Sequence, residues 1–358
     1  MPFLTLTDAP GSSGDDGQQA ARLARLLPLW ERLAATTGPA DPFCCAPAWQ
    51  LSFLETVTPG QRLFYHVEAG NLAVFTEVQA DGRRVFLAPP ESGWLFGCPL
   101  LGPACGDVLE AVLTFLNEAR PDAVPHLILS GLQPRGPLAA MLLHRFGEGY
   151  AFFRHGTTVQ CAASLAGGLD GYLSRRSANH RAKLKKAARR AKAAGVSFTR
   201  VMPAGPGEAA ALYARMQAVE ARSWKGLEHC GMGEAPAREF YEALVQRLAA
   251  EGTLRAIMAQ RDGRDIGFIF GGICGGGLCG SIYRGQQFSY AAGEHELSLG
   301  NLLQLETLKW LCEDGIARYD MGPVTGPRME YKRHWTEENH EIQTWLMVRR
   351  PGRGETPC

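Results

Sequence analysis

The sequence lacks several patterns that mark whole classes of protein. None of its ten cysteines forms a CxxC pair, so we expect no structural zinc site. No apolar run reaches the ~18–20 residues that a membrane-spanning helix needs. The first residues show no basic segment followed by an apolar one, the pattern of an export signal. We therefore expect reduced thiols, no membrane span and a cytoplasmic location.

The charge is balanced overall, at +1, but it is distributed unevenly. No Asp or Glu occurs between Asp170 and Glu208, and residues 173–195 are rich in alanine and in basic residues, a composition that predicts a helix. Like charges four residues apart repel each other, and an anionic partner such as a phosphate would relieve that repulsion. The alternative is a solvated face balanced by acidic residues elsewhere. The basic residues are Arg175, Arg176, Arg181, Lys183, Lys185, Lys186, Arg189, Arg190 and Lys192.

A length of 358 residues suggests two domains. Each half of the sequence shows helices, then an antiparallel meander, then a helix and a strand, with glycine-containing turns between the strands. This order predicts an α+β fold of two lobes in tandem, each with a mixed, largely antiparallel sheet flanked by helices. We expect a flexible leader over residues 1–19, lobes over 20–155 and 156–350, and a tail over 351–358.

The segment from Glu220 to Gly226 joins a predicted helix to a glycine-rich loop. Glu220 falls near the helix C-terminus, where the macrodipole disfavours a negative charge, which suits a proton-accepting base. Trp224 and Lys225 are placed to wall a pocket. The alternative is that Glu220 forms an ion pair with Arg222 or Lys225.

Two later segments are also candidates for a site. A helix is predicted from Gly300, directly after the strand over 281–284, and the free N–H groups of its first turn would bind an anion. Here the alternative is an ordinary helix start capped by Ser298. Residues 319–323 and 331–335 follow, and in them Lys332 is placed to contact a carbonyl or a phosphate. Lys332 paired with Asp320 is the alternative there.

In order and spacing, these segments resemble the CelD/BioF-like acetyltransferase domain of the GNAT superfamily, which is related to the Fem-type aminoacyltransferases. The resemblance covers residues 170–345. One departure is Ser298-Leu299-Gly300 where members often carry Ser-Pro-Gly, and another is the His229-Cys230 pair in the glycine-rich loop. The matching motifs are the basic helix, Glu220 with Trp224-Lys225-Gly226, Tyr283, the helix from Gly300, Tyr319-Asp320-Met321-Gly322, and Tyr331-Lys332 with Trp335.

The resemblance implies two GNAT-like lobes and transfer of an acyl group to an amine, from acyl-CoA as cosubstrate or from an aminoacyl-tRNA, with no permanently bound cofactor. The predicted roles are Glu220 as general base, Tyr283 as proton donor to the leaving group, and Lys225 and Lys332 as groups that orient the acceptor or the carbonyl. Backbone amides around Ser298, Leu299, Gly300 and Asn301 would hold pyrophosphate. Arg181 and Lys185 on the basic helix would hold a further phosphate. Trp224, Asp320, Tyr331 and Trp335 would bind the acceptor.

Two other functions stay open from the sequence. The basic helix also suits the RNA of an aminoacyl-tRNA, as in a Fem-like transferase, but the rest of the chain is not basic. A degenerate GNAT module that binds a ligand without turnover is the non-enzymatic alternative.

Overall fold

The computed structural model describes residues 4–5, 16–36, 41–81, 84–119, 124–275 and 280–350. The chain divides into two compact units, one of Met1–Thr158 with His340–Cys358 and one of Val159–Asn339. The predicted lobes ended at residues 155 and 350, whereas the units divide at 158/159 and 339/340. The first division falls inside a strand that the sequence patterns did not indicate.

The described part of the first unit combines five helices with a mixed sheet. Its largest helices pack on the sheet through a core that contains Trp30, Leu109 and Leu127. The elements are β1 (Leu4–Thr5), α1 (Asp16–Thr36), α2 (Pro42–Cys45), α3 (Pro47–Thr56), β2 (Leu63–Glu68), β3 (Asn71–Asp81), β4 (Arg84–Ala88), β5 (Leu100–Leu101), α4 (Cys105–Ala119), β6 (Val124–Leu132), α5 (Pro137–Phe146), the first part of β7 (Tyr150–Ser164) and most of β13 (Glu338–Arg349).

The main strand order in this unit is β1-β2-β3-β4-β6-β13, and β5 pairs with β3 at the side. Strands β2, β3 and β4 form an antiparallel meander, β4 pairs with β6 in parallel, and β6 pairs with β13 antiparallel. One of the predicted glycine-containing turns, at Asp81-Gly82, lies partly in residues 82–83, outside the described residues.

The second unit places helices on both faces of a six-stranded sheet. Two 3-10 segments, Ala292–Leu297 and Pro327–His334, follow its central strands. The elements are the end of β7, α6 (Gly168–Ser174), α7 (Ala178–Ala193), β8 (Ser197–Val201), α8 (Pro206–Glu220), α9 (Trp224–Leu227), α10 (Ala237–Ala250), β9 (Leu254–Arg261), β10 (Arg264–Gly275), β11 (Ser281–Tyr290), α11 (Leu299–Glu313) and β12 (Arg318–Val324).

The strand order in the second unit is β8-β9-β10-β11-β12-β7. Again a meander leads to one parallel pair, β11 with β12, and β12 pairs antiparallel with the next strand, β7. The two units therefore share one order of strands, and the predicted tandem α+β fold is confirmed. No helix among the described residues is long and apolar enough to cross a membrane.

The prediction of one long helix within residues 173–195 is wrong in one respect, because the structure divides this segment between α6 and α7. Ser177 interrupts it by acting as the N-cap of α7, where its hydroxyl accepts a hydrogen bond from the N–H of His180 at 3.2 Å. Serine competes with the backbone in this way at helix starts. Beyond the cap, Ala187 and Ala191 pack α7 against Leu302 of α11.

Candidate active site in the second unit

The β11 and β12 strands run parallel for only three residue pairs and then separate. The pairs end at Arg284 and Asp320, after which β11 continues along β10 and β12 continues along β7. The pairing among the described residues thus forms a fork, and α11 begins shortly after β11 ends. A register shift in β11, between its pairs Gly271–Gly285 and Phe270–Gln287, reverses the alternation of side chains, so that Tyr283 lies among α11 residues while Ser289 contacts α8.

Glu220 is the last residue of α8 and is 2% exposed. One carboxylate oxygen accepts a hydrogen bond from the N–H of Met232, and the other accepts one from the Ser289 hydroxyl at 2.8 Å. Neither ion pair considered from the sequence forms, because Arg222 donates to the Ala218 and Asp265 carbonyls and Lys225 donates elsewhere. Glu220 therefore joins α8, the glycine-rich loop and β11.

Lys225 lies on the short helix α9, whose N-cap Ser223 accepts from the N–H of Lys225 at 3.2 Å. Its ammonium group donates to the side-chain oxygen of Gln287 at 2.7 Å and to the Phe288 carbonyl at 3.0 Å. Burial lowers the pKa of Lys225, and the nearby negative charge of Glu220 acts in the opposite direction. Lys225 is thus held against the C-terminal part of β11.

A buried pair of opposite charges sits where the fork opens. Arg284 is 5% exposed and Asp320 is 3% exposed, and Nε of Arg284 lies 3.7 Å from Oδ1 of Asp320. The same Asp320 oxygen accepts from the N–H of Gly322 at 2.6 Å, and Arg284 donates to the Gly285 carbonyl at 2.9 Å. Such a pair needs these added hydrogen bonds to offset the cost of removing two charges from water.

Lys332 comes from the 3-10 segment after β12 and is 8% exposed. Its amine donates to the carbonyl of Pro323 at 2.7 Å, rather than to Asp320 as the alternative from the sequence had it. Burial, with the positive charge of Arg284 as the next cause, lowers the pKa of Lys332 to about 7. The structure therefore brings Glu220, Lys225, Asp320 and Lys332 into one polar cluster, which Arg284 completes.

Tyr283 lies at the fork but away from that cluster. Its side chain is fully buried, stacks on Tyr319 with ring centroids 5.6 Å apart, and packs over Gly271 of β10. Its hydroxyl has no hydrogen-bond partner among the described residues, and burial raises its pKa, so the group is protonated. Tyr319, in contrast, donates to the side-chain oxygen of Gln304.

The start of α11 has the free donors that an anion site needs. The N–H groups of Leu299 and Gly300 have no acceptor within the described part of the chain, whereas Asn301 donates to the Ser298 carbonyl at 3.1 Å. Ser298 adopts a left-handed conformation and makes no side-chain cap, so the alternative of a serine-capped helix is wrong. Gly300 lies against the Phe288 ring, where a side chain would be crowded.

The basic helix α7 runs antiparallel to α11, and only one of its ends lies near the start of α11. Arg190 donates to the carbonyl of Glu296, just before α11. Arg181 lies nine residues earlier, about 14 Å along the helix, and donates to the carbonyls of Leu173 and Arg176. Lys185 is exposed on the side away from α11. The structure thus places Arg190, rather than Arg181, next to the candidate anion site.

The four predicted acceptor residues occupy different environments. Trp224 is 40% exposed, and the Arg328 guanidinium lies over its ring at 4.5 Å from the centroid. Tyr331 is half-buried and packs edge-on against Phe288. Trp335 is buried beside His180, and Asp320 is occupied by Arg284. Of the four, Trp224 and Tyr331 are the ones with surface available to a ligand.

Sequence reasoning missed Arg284, Gln287 and Ser289, which supply three polar contacts of the cluster. A signal was present, because residues 284, 287 and 289 are polar in a strand that also carries Ile282, Tyr283 and Phe288. It also missed Gly231, whose lack of a side chain leaves room for the Glu220 carboxylate. The described residues contain no group of three or more His, Cys, Asp or Glu that could hold a metal ion.

The first unit has its own buried carboxyl, Glu91. It accepts from the indole N–H of Trp49 at 2.8 Å and from the N–H of Gly97 at 2.5 Å, and its own N–H donates to Gln50. Burial raises the pKa of Glu91 to about 8. Because Glu91 is fully enclosed by these contacts, it ties the segment around Gly97 to α3 and offers no surface to a substrate.

The fork, the polar cluster and the start of α11 all lie between Glu220 and Lys332 in the second unit. Residues 178–333 match the family model of the acetyltransferase (GNAT) domain. The second unit therefore contains an acetyltransferase (GNAT) domain over these residues, as the resemblance implied. No curated protein matches the chain in sequence.

Solved structures show the same fold over almost the whole chain. A conserved protein of unknown function from Bacteroides thetaiotaomicron superposes with a TM-score of 0.60 at 11% identity, covering 92% of this chain and 97% of that one. FemX superposes with a TM-score of 0.59 at 11% identity, covering 88% of this chain and 94% of that one. L-PGS from Bacillus licheniformis superposes with a TM-score of 0.56 at 16% identity, covering 96% of this chain and 94% of that one. At such identities the likeness concerns the fold alone.

Proposed function

We propose that the chain is an N-acyltransferase that moves an acyl group from acyl-CoA directly onto an amine. The observation that carries this proposal is the fork between β11 and β12, together with the uncapped start of α11, which follows β11 after one 3-10 segment. An acyl-CoA has an extended, amide-containing arm and a pyrophosphate. The arm suits separated strand edges, and the pyrophosphate suits free N–H groups at a helix start.

The donor would be held from the start of α11 inward. The N–H groups of Leu299 and Gly300 would bind the pyrophosphate, between Ser298 and Asn301. Cations at the end of α7 near Arg190 would take a further phosphate. Lys185 stays a candidate for that phosphate because it is exposed, whereas Arg181 is directed to α6.

The acceptor would enter on the face of the sheet that carries the polar cluster. Trp224 and Tyr331 have surface for its carbon skeleton, and Lys225 and Lys332 lie next to the separated part of the strands. Asp320 and Trp335 would support these groups rather than touch the acceptor. Tyr283, as a protonated donor at the fork, would stabilise the leaving thiolate by a hydrogen bond.

A thermal-shift screen with acetyl-CoA, longer acyl-CoAs and charged tRNA tests the donor. A ligand at 100 times its Kd stabilises the folded chain by roughly 2.7 kcal/mol. We expect stabilisation by an acyl-CoA and, with an amine present, release of free thiol. Stabilisation by acyl-CoA without thiol release from any amine would favour the non-catalytic module, and no shift with any acyl-CoA would contradict the proposal.

The second candidate is an aminoacyl-tRNA-dependent transferase, and one observation favours it. Four cations on α7 lie within an arc of about 120°, opposite the side that packs on α11. They are exposed, and no described residue forms an ion pair with them. These residues are Lys185, Lys186, Arg189 and Lys192.

Salt dependence and charge removal separate the two donors. RNA binding across several phosphates weakens steeply with salt, whereas acyl-CoA depends on few charges. Replacing Lys186, Arg189 and Lys192 with glutamine, with Lys185 retained, should leave the KM for acyl-CoA within about threefold if acyl-CoA is the donor. A loss of charged-tRNA binding in that variant, with no effect of acyl-CoA on the parent protein, would establish the second candidate instead.

A further inference from the structure

Glu220 is poorly placed to take a proton from a substrate. Both carboxylate oxygens already accept hydrogen bonds, from Met232 and Ser289, and the side chain is 2% exposed. A general base must lie within hydrogen-bond reach of the proton that it removes. The contacts of Glu220 instead hold the glycine-rich loop against β11.

Lys332 has the opposite arrangement. Its amine makes one hydrogen bond, to the Pro323 carbonyl, and Pro323 lies on β12 just beyond the last pair that β12 makes with β11. The amine therefore sits beside the opening of the fork, where the donor carbonyl would lie. A neutral amine there has a lone pair to which no described residue donates a hydrogen bond.

The titratable groups that act on the pKa of Lys332 lie on four other elements. They are Arg284 on β11, Asp320 on β12, the Cys161 thiol on β7 and Lys225 on α9. Asp320 is the only carboxylate among these four, and its Oδ1 is already held by Arg284 and the N–H of Gly322. Arg284 cannot lose its proton, so its fixed charge and the burial of the amine both favour neutral Lys332.

We infer that Lys332 accepts the proton of the attacking amine, and that Arg284 and Glu220 are positioning residues around it. This inference rests on the proposed acyl transfer. The amine nitrogen bonds to the acyl carbon, one N–H proton passes to Nζ of Lys332, and the bond from carbon to sulfur breaks. The electron pair leaves on the thiolate, which takes a proton from solvent, and the Lys332 ammonium then loses its proton to solvent.

The test is the pH dependence of kcat/KM for thiol release in the full chain. The parent enzyme should lose activity as the pH falls through about 7, because Lys332 becomes protonated. Lys332→Arg places a fixed positive charge there and has no neutral form near this pH, so its kcat should fall by about 10²–10⁴ while the KM for acyl-CoA changes little. Arg284→Gln should shift the acid limb to higher pH, because it removes the fixed positive charge.

The outcomes separate this inference from the proposed function. If the parent enzyme turns over and Lys332→Arg keeps its kcat within about threefold, the inference is wrong and acyl transfer stands. If no amine supports thiol release in the parent enzyme, acyl transfer itself fails. Should Arg284→Gln not fold, NMR titration of isotope-labelled lysines in the parent protein replaces it. The signal lost in Lys332→Met should titrate near 7, and titration near 10 would overturn the inference.

Discussion

The guanidinium of Arg284 occupies the space that a side chain at residue 322 would need. A Cβ on Gly322 would overlap Nη1 of Arg284, and Gly322 also has a φ of +73°, which favours glycine. The N–H of the same glycine donates to Asp320, so one residue holds both members of the buried ion pair in place. The glycine of the Tyr-Asp-Met-Gly motif is therefore required by the fork.

Replacing Gly322 with alanine should impair both stability and activity. The strained backbone alone costs about 1–3 kcal/mol, and displacement of Arg284 adds to this. We expect a lower denaturant midpoint and a kcat/KM reduced by at least about tenfold. Gly326→Ala is the matched control, because Gly326 is extended and has open space around its Cβ position. Equal behaviour of the two variants would contradict this role of Gly322.

Gly231 has a similar relation to Glu220. A side chain at 231 would overlap a Glu220 carboxylate oxygen, whereas one at Gly233 would meet nothing within 4 Å. Gly231→Ala should displace the carboxylate from Met232 and Ser289, at a cost of about 1–3 kcal/mol for the hydrogen bonds lost in the interior. The kcat should fall with it, while Gly233→Ala should match the parent protein. Unchanged unfolding and kcat in Gly231→Ala would show that the Glu220 contacts are dispensable.

Phenylalanine variants of Tyr283 and Tyr319 can be compared to test whether the Tyr283 hydroxyl stabilises the leaving thiolate. Tyr283→Phe removes a buried hydroxyl that has no partner among the described residues, so the unfolding temperature should stay the same or rise. If the hydroxyl stabilises the leaving thiolate, kcat should nevertheless fall by about tenfold, equivalent to about 1.4 kcal/mol. Tyr319→Phe loses its bond to Gln304 and should show the reverse, with lower stability and a nearly unchanged kcat. An unaffected kcat in Tyr283→Phe would remove that residue from the chemistry.

The burial of Lys332 should also change how the free energy of unfolding depends on pH. Its folded pKa of about 7 lies below the ordinary value of 10.5. Between these pH values the unfolded chain binds more protons at this residue, so the free energy of unfolding rises with pH there, by up to about 1.4 kcal/mol per unit. In urea unfolding at pH 7 and pH 9, the parent protein should gain more stability than Lys332→Met over that interval. Parallel curves would mean that the buried amine titrates normally.

The sequence patterns predicted the larger features of the fold because these depend on local periodicity and turn residues. The meanders and the helix Pro137–Phe146 are examples. The strand Tyr150–Ser164 was missed because its first half shows no regular alternation of buried and exposed positions. The break before α7 was missed because the alanine-rich sequence that follows Ser177 concealed the capping role of this serine.

The candidate site was predictable to a smaller extent. Motif order pointed to Glu220, Lys225 and Lys332, which the fold brings into one cluster. The contacts of Arg284 could not be predicted, because they depend on the register of β11 against β12 and on a glycine 38 positions away in the chain. The same limit applies to the orientation of α7, which placed Arg190 rather than Arg181 beside α11.

Amine-dependent thiol release from acyl-CoA is the most direct test of acyl transfer by this chain. Purified protein is mixed with an acyl-CoA and a panel of primary amines, and free thiol and acylated amine are measured together. We predict that thiol appears only when a suitable amine is present, in equal amounts with the acylated product. Thiol release that does not depend on the amine, or acyl transfer from charged tRNA with none from any acyl-CoA, would contradict the proposed function.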